Sequence, residues 1–259
     1  MTTSVSASMP TAIGLSSAIE TNQVIAAICG GTEYAVWRDS RGALHANQNR
    51  CPHRGMRLSF GFVRDDRLNC LYHGWSYDSG GQCRHIPAHP ALTPPRTVCL
   101  QTFAVREQHG TIWLATETTA GDASQAAAPS PLDHLVLPAG LQATPVRSLY
   151  VMASLASVRR TMEEWTPQGH ASGNTASAST AFKREALGTD AGTVILRDDA
   201  LPPQGVLFAL QDVGDGRTGI HLAALWSGPA PADYLLALSR QLRALGLALQ
   251  QQATAEQAA

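Results

Sequence analysis

Between residues 23 and 117 the chain alternates short apolar runs with glycine-bearing turns. NQVIAAI (22–28) is a β-rich run. EYAVWRDSRGALHAN (33–47) predicts a hairpin, with strands at 34–37 and 43–46 around a turn at 39–42. LNCLYHGWSYDSGGQCRHI (68–86) repeats the pattern over Ser79-Gly80-Gly81, and FAVREQHGTIWLATE (103–117) over 108–110. Short strands joined by tight turns predict a small antiparallel β-domain.

The pattern then changes. Residues 118–131 (TTAGDASQAAAPSP) have no apolar period and predict a linker. Beyond it, 148–158 predicts a strand, 159–165 the start of a helix, and 167–181 a small, polar loop. Further strands are expected at TVILRD (193–198), VLFALQDV (206–213) and GIHLAALW (219–226), with a turn at 214–219. An amphipathic helix is expected over 232–252, where Leu235, Leu238, Leu242, Leu245 and Leu249 form one seam. Two heptads are too few for a coiled coil, so the seam is read as packing onto its own domain, with a subunit contact as the alternative. The expected class is mostly β with an α+β C-terminal part: a flexible tail (1–20), a β-domain (21–117), a linker (118–132) and a helix-plus-sheet domain (133–259).

Charge and composition exclude several roles. The 259 residues are 44% apolar and carry a net charge of -1, with no basic field for nucleic acid or an anionic membrane. No apolar run approaches 18 residues, so no membrane span is expected. The first 37 residues contain no Lys or Arg, so the positive start of a signal peptide is missing and a cytoplasmic protein is expected. Five cysteines, Cys29, Cys51, Cys70, Cys83 and Cys99, make a poor disulfide framework. Cys29, Cys83 and Cys99 are read as small strand residues.

The chemistry concentrates in CPHRGMRLSFGFVRDDRLNCLYHGW (51–75). Cys51-x-His53 is followed, after sixteen residues, by Cys70-x-x-His73. A Rieske-type [2Fe–2S] centre needs two thiolates on one iron and two imidazoles on the other. Two loops that each carry one Cys and one His supply that set. Pro52 stiffens the first loop, and Gly55 and Gly74 let backbone N–H groups approach the sulfides. Two Cys and two His also suit a tetrahedral zinc ion, although zinc fingers usually place the Cys pair and the His pair on separate elements.

Residues 33–117 resemble the Rieske domain of the ring-hydroxylating oxygenases. The resemblance rests on Trp37-Arg38-Asp39, CPHRG (51–55), LSFG (58–61), CLYHGWSYDSGGQC (70–83), Ile86-Pro87 and VREQHGTIWLA (105–115). It implies that Cys51 and Cys70 bind one iron and His53 and His73 the other. It also implies a flavin- or ferredoxin-type reductase as electron donor, and an oligomer. The respiratory Rieske proteins look less similar, because their cluster loops each carry a further Cys that is missing here.

In that family a second domain holds a mononuclear iron on two His and one carboxylate, a facial triad. The family's pattern of Asn, Asp and two His matches this chain at His170 alone; Glu164, Pro167 and Thr175 stand at the other positions. His170 is therefore read as a remnant and a mononuclear Fe(II) is not expected; His134 has no partner His, and His221 is read as structural. The part after the linker is also shorter than the family's catalytic domain usually is. The expected function is that of an oxidoreductase component: single electrons pass from a reductase to an oxygenase iron on a partner subunit. The alternatives are a self-contained mono- or dioxygenase with an atypical iron site (His170 with Glu163, Glu164 or Asp190), and a redox-sensing or binding protein.

Overall fold

A computed structural model describes residues 10–118, 137, 140–167, 183–187, 193–198 and 204–258. Of the predicted linker, Thr118 is described and residues 119–132 lie outside the described residues. The chain begins with β1 (Thr11–Leu15) and a 3-10 turn, then β2 (Val24–Cys29), β3 (Thr32–Arg38) and β4 (Leu44–Gln48). After a second 3-10 turn (Leu58–Phe60) come β5 (Phe62–Arg64), β6 (Arg67–Asn69), β7 (Ser76–Tyr77), β8 (Cys83–His85), β9 (Thr102–Gln108) and β10 (Thr111–Thr118). The later part consists of β11 (Leu141–Val151), α1 (Leu155–Glu164), β12 (Lys183–Leu187), β13 (Thr193–Asp198), β14 (Gln204–Gly214), β15 (Arg217–Ser227) and α2 (Ala232–Ala258). No helix among the described residues is long and apolar enough to cross a membrane.

Three antiparallel sheets result, ordered β1-β10-β9-β4-β3-β2, β5-β6-β7-β8 and β11-β15-β14-β13-β12. The described residues divide into two units. One holds residues 10, 17–107 and 113–118; the other holds 11–16, 108–112 and those from 137 onward.

In the first unit β3 is buried on both faces from Tyr34 to Trp37. Ala35 and Trp37 on β3 point inward with Leu58, Val63, Leu68, Tyr77, Ile86 and Leu100, and the core includes Cys51, Cys70 and Cys83. The predicted β3–β4 hairpin is present, and its turn is built by Asp39. That carboxylate accepts from the backbone N–H groups of Arg41 (3.0 Å) and Ala43 (2.8 Å) and bonds His45 Nε2 (3.2 Å). Burial works to raise the Asp39 pKa, but the bonds from His45, Ala43 and Arg41 outweigh it and hold the carboxyl below its ordinary value.

In the second unit α1 and α2 pack on one face of the five-stranded sheet. Val206, Phe208 and Leu210 on β14 alternate into this core, as do Ile220, Leu222, Ala224 and Trp226 on β15. The intervening residues Leu207, Ala209, Ala223 and Leu225 are fully buried as well. A strand covered on both faces reads as a continuous apolar run, which is the GIHLAALW signal. Leu238, Leu242, Leu245 and Leu249 pack into this core with Leu235 at its margin, so the α2 seam faces its own sheet.

The structure corrects four boundaries. Thr11–Leu15 is a strand rather than part of a 1–20 tail: Ala12, Ile13 and Leu15 are buried, and β1 packs against β14 and β15. Five residues between Ser/Thr-rich neighbours give no periodic signal, so only the tertiary contact makes them a strand. β11 starts seven residues before the predicted strand. Its ladder passes an irregularity between Pro145 and Arg147, and an edge strand tolerates the proline there. α1 starts at Leu155, not Arg159, because Ser154 Oγ accepts from the Ser157 N–H and caps it. α2 runs six residues past its predicted end, and β12 gave no signal.

Candidate metal centre

Cys51 opens the loop between β4 and β5, and Cys70 the loop between β6 and β7. The two loops close in the same way. The Cys51 N–H donates to Met56 O (2.9 Å) and the Gly55 N–H to Cys51 O (2.8 Å). The Cys70 N–H donates to Trp75 O (2.9 Å) and the Gly74 N–H to Cys70 O (2.9 Å). Each ring therefore ends on a glycine four residues after its cysteine, although the histidine sits two residues on in one loop and three in the other. Both glycines have positive φ, 71° and 67°, which a side chain would strain.

The rim of the first loop is tied to the sheet. Both Glu33 carboxylate oxygens accept from Arg57, at 2.7 and 2.6 Å. Asn49 bridges Glu33 and Ser59. A bidentate pair of this kind fixes orientation as well as distance.

These loops sort their side chains by burial. Cys51 and Cys70 are 3% and 2% exposed and belong to the core. His53 and His73 are exposed, with ring centroids 4.6 Å apart. An aromatic ring braces each imidazole. Trp75 of the second loop stacks on His53 of the first at 4.4 Å and 4°, and Tyr72 lies 3.8 Å from its neighbour His73. The His53 imidazole is held below its ordinary pKa, first by desolvation and then by His73 and Arg54.

Burial pushes the Cys70 thiol up, and the nearby Cys51 adds to this; backbone N–H groups of Tyr72 and His73 aimed at its sulfur oppose it. Those donors would favour a thiolate once a cation compensates burial. Among the described residues, no three His, Cys, Asp or Glu side chains converge on a point at single-ion distances. Two of the candidate donors, the thiols, are buried, and the other two, the imidazoles, are exposed. That arrangement fits a two-iron cluster better than one tetrahedral zinc.

Two residues escaped the sequence reading. The Tyr77 hydroxyl is 3.1 Å from Cys51 Sγ. Burial, and then the Cys51 sulfur, raise its pKa, so the phenol keeps its proton and would donate to a Cys51 thiolate. Cys83, 1% exposed, lies close enough to Cys51 for the two to interact electrostatically. β7 has two residues and both are buried, so no alternation marks Tyr77 in the sequence.

Of the other candidates, His221 is wholly buried. Its ring bonds Ser148 Oγ (2.8 Å) and Gln211 Oε1 (2.9 Å), and burial lowers its pKa to about 4, so it is a neutral, satisfied core residue. Glu163 and Glu164 end α1, exposed. His170, His134 and Asp190 lie outside the described residues.

A profile of the Rieske [2Fe-2S] domain matches residues 9–104. The N-terminal part of this chain is a Rieske domain. The match starts ahead of β1. The oxidoreductase NdmD of Pseudomonas putida is 51% identical over 84 residues, a stretch that is 32% of this chain and 14% of NdmD. The chain thus spans about a seventh of that relative. Fold similarity reaches further than the Rieske domain. A solved structure of NdmA from Pseudomonas putida CBB5, a mutant with theobromine, matches 90% of this chain and 78% of its own, with TM-score 0.67 and 19% identity. Dicamba monooxygenase with non-heme iron and dicamba matches 97% of this chain and 89% of its own, with TM-score 0.65 and 18% identity. The second unit therefore lies within the part of the chain that shares its fold with these two proteins.

Proposed function

We propose that Cys51 and Cys70 hold the inner iron of a Rieske [2Fe–2S] cluster and His53 and His73 the outer one. On this reading the chain carries single electrons from a flavin- or ferredoxin-type reductase to a non-heme iron oxygenase centre on a partner subunit, within an oligomer. The observation that carries the reading is the sorting by burial. Two thiols sit in the core beneath two imidazoles at the surface, so an electron would enter and leave by the imidazole edge.

A bound cluster would supply a one-electron couple. The chain's own residues do the rest. Cys51 and Cys70 exclude water from the sulfur side. The twin backbone rings hold both loops in place. Trp75 and Tyr72 orient the imidazoles, and the N–H groups of Tyr72 and His73 together with the Tyr77 hydroxyl place positive dipoles on the sulfurs.

The second reading is a self-contained oxygenase whose own later unit binds iron around His170. The fold likeness of that unit to dicamba monooxygenase favours it. Iron and acid-labile sulfide counts on anaerobically purified protein separate the two. Two irons and two sulfides per chain are expected; a third tightly bound iron overturns the electron-carrier reading. His170→Ala is expected to leave the reduced cluster's spectrum and its reoxidation rate unchanged.

A further inference from the structure

The two cluster loops are unequal in length. The second, residues 70–75 between β6 and β7, is closed from end to end by the bond from the Cys70 N–H to Trp75 O. The first, residues 49–61 between β4 and β5, is more than twice as long, and its ring from Cys51 to Met56 closes only the tip. The base needs its own anchor, because every residue held in one conformation costs entropy. Asn49 stands there, the first residue after β4 and 1% exposed. Its carboxamide is fully used. Oδ1 accepts from the Ser59 N–H (2.8 Å), and Nδ2 donates to Ser59 Oγ (3.0 Å) and Glu33 Oε2 (3.2 Å). The Asn49 N–H also donates to Glu33 O (3.3 Å), so backbone and side chain both tie it to β3.

These contacts continue toward both pairs of donors. Ser59 lies in the 3-10 turn that Gly61 ends, and Gly61 sits so close to the Asn69 carbonyl that a Cβ would overlap it. Asn69 precedes Cys70. On the other side Glu33 holds Arg57, one of four arginines in residues 50–64. We propose that Asn49 is a positioning residue for the cluster: it fixes the base of the first loop, and so sets where Cys51 and His53 stand relative to Cys70 and His73. The inference rests on the reading that these four residues hold a [2Fe–2S] centre, and it deepens that reading by one residue outside the donor set. The amide chemistry matters here, rather than the volume. Asn offers an acceptor to the Ser59 N–H and donors to a hydroxyl and a carboxylate at once. Asp offers acceptors only, and would set a second carboxylate against Glu33 at a buried position.

The test uses the full chain with its cluster, prepared anaerobically. Transfer of iron to a ferrous chelator after reduction with dithionite reads how readily the site opens. Pulsed EPR of the reduced cluster resolves the couplings to its two imidazoles. Asn49→Asp keeps the side-chain volume and deletes the donors. It is expected to speed iron release about tenfold and to broaden one imidazole coupling while the other stays as in the parent. Adding Glu33→Gln to Asn49→Asp exchanges amide and carboxylate between the two positions and restores a donor between them. The double variant is expected to release iron within about threefold of the parental rate. Arg57→Ala removes only the more exposed arm of the network and is expected to change the rate about twofold.

Release from Asn49→Asp at the parental rate, equal broadening of both couplings, or no recovery in the double variant overturns the proposal. Where Asn49→Asp retains no cluster, the double variant decides: a regained cluster supports the role of Asn49, and its absence overturns it. A parent protein that carries no cluster fails the underlying reading instead, and its colourless spectrum distinguishes that failure.

Discussion

The Tyr77 hydroxyl lies 3.1 Å from the Cys51 sulfur, and both groups are buried. Tyr77 reaches this place from β7, one strand residue beyond Ser76, while Cys51 arrives from the other cluster loop. A hydrogen bond to a cluster sulfur stabilises the reduced form more than the oxidised one, because reduction adds negative charge to the sulfurs. Tyr77→Phe keeps the ring and deletes the donor. With the bond contributing about 1 kcal/mol differentially, the reduction potential should fall by on the order of 40 mV. Protein-film voltammetry reads the shift, and an unchanged or higher potential contradicts this role for Tyr77.

Gly61 follows the 3-10 turn that closes the first cluster loop, and a Cβ there would overlap the backbone carbonyl of Asn69, the residue before Cys70. Backbone cannot yield as a side-chain tip can. Gly61→Ala is expected to cost about 1–3 kcal/mol and to lower cluster occupancy by displacing Cys70. Thermal unfolding and the iron content of the purified variant check both parts.

Asp39 sets a pH dependence whose direction follows from its hydrogen bonds. Its folded pKa lies below the unfolded value of about 3.9, so the folded chain binds fewer protons there. The stability it contributes is fully present above the unfolded pKa and is lost as the pH falls through the folded one. Asp39→Asn should therefore destabilise the protein at neutral pH, by about 1–3 kcal/mol, and narrow its stability gap to the parent below about pH 4. Urea midpoints at pH 7 and pH 3 give the comparison; a gap that widens in acid contradicts it.

Removing the metal tests how far the site is built in advance. Both loops close through backbone hydrogen bonds, and the two cysteines pack in the core, where free thiols behave as small apolar groups. Chelation under reducing conditions should bleach the visible absorption and lower the melting temperature while far-UV circular dichroism keeps its β signature. Collapse of that signature would place the cluster among the determinants of folding.

How much of this was legible depended on how local each cause was. The hairpins around Asp39 and Ser79-Gly80-Gly81 announced themselves because turn chemistry is local. The α2 seam and the continuous run in β15 were readable because burial on one or both faces leaves a period or a run. β1 and β12 were not, since strands of five residues acquire their identity from the neighbours they pair with. The proposed metal donors stood out as residue types at a spacing. Tyr77 was not, because its partner is 26 residues away and a tyrosine on a strand is usually only core.

By itself the sequence supplied the candidate donor set, the two glycines that allow the loops to close, and the excess of arginine around them. These are matters of residue chemistry and short-range backbone geometry. Only the tertiary structure decided which donors face the core and which face solvent, that Trp75 of one loop braces His53 of the other, and that Tyr77 reaches Cys51. Those relations join segments whose order along the chain carries no information about distance, and burial in a shared core is what brings them together.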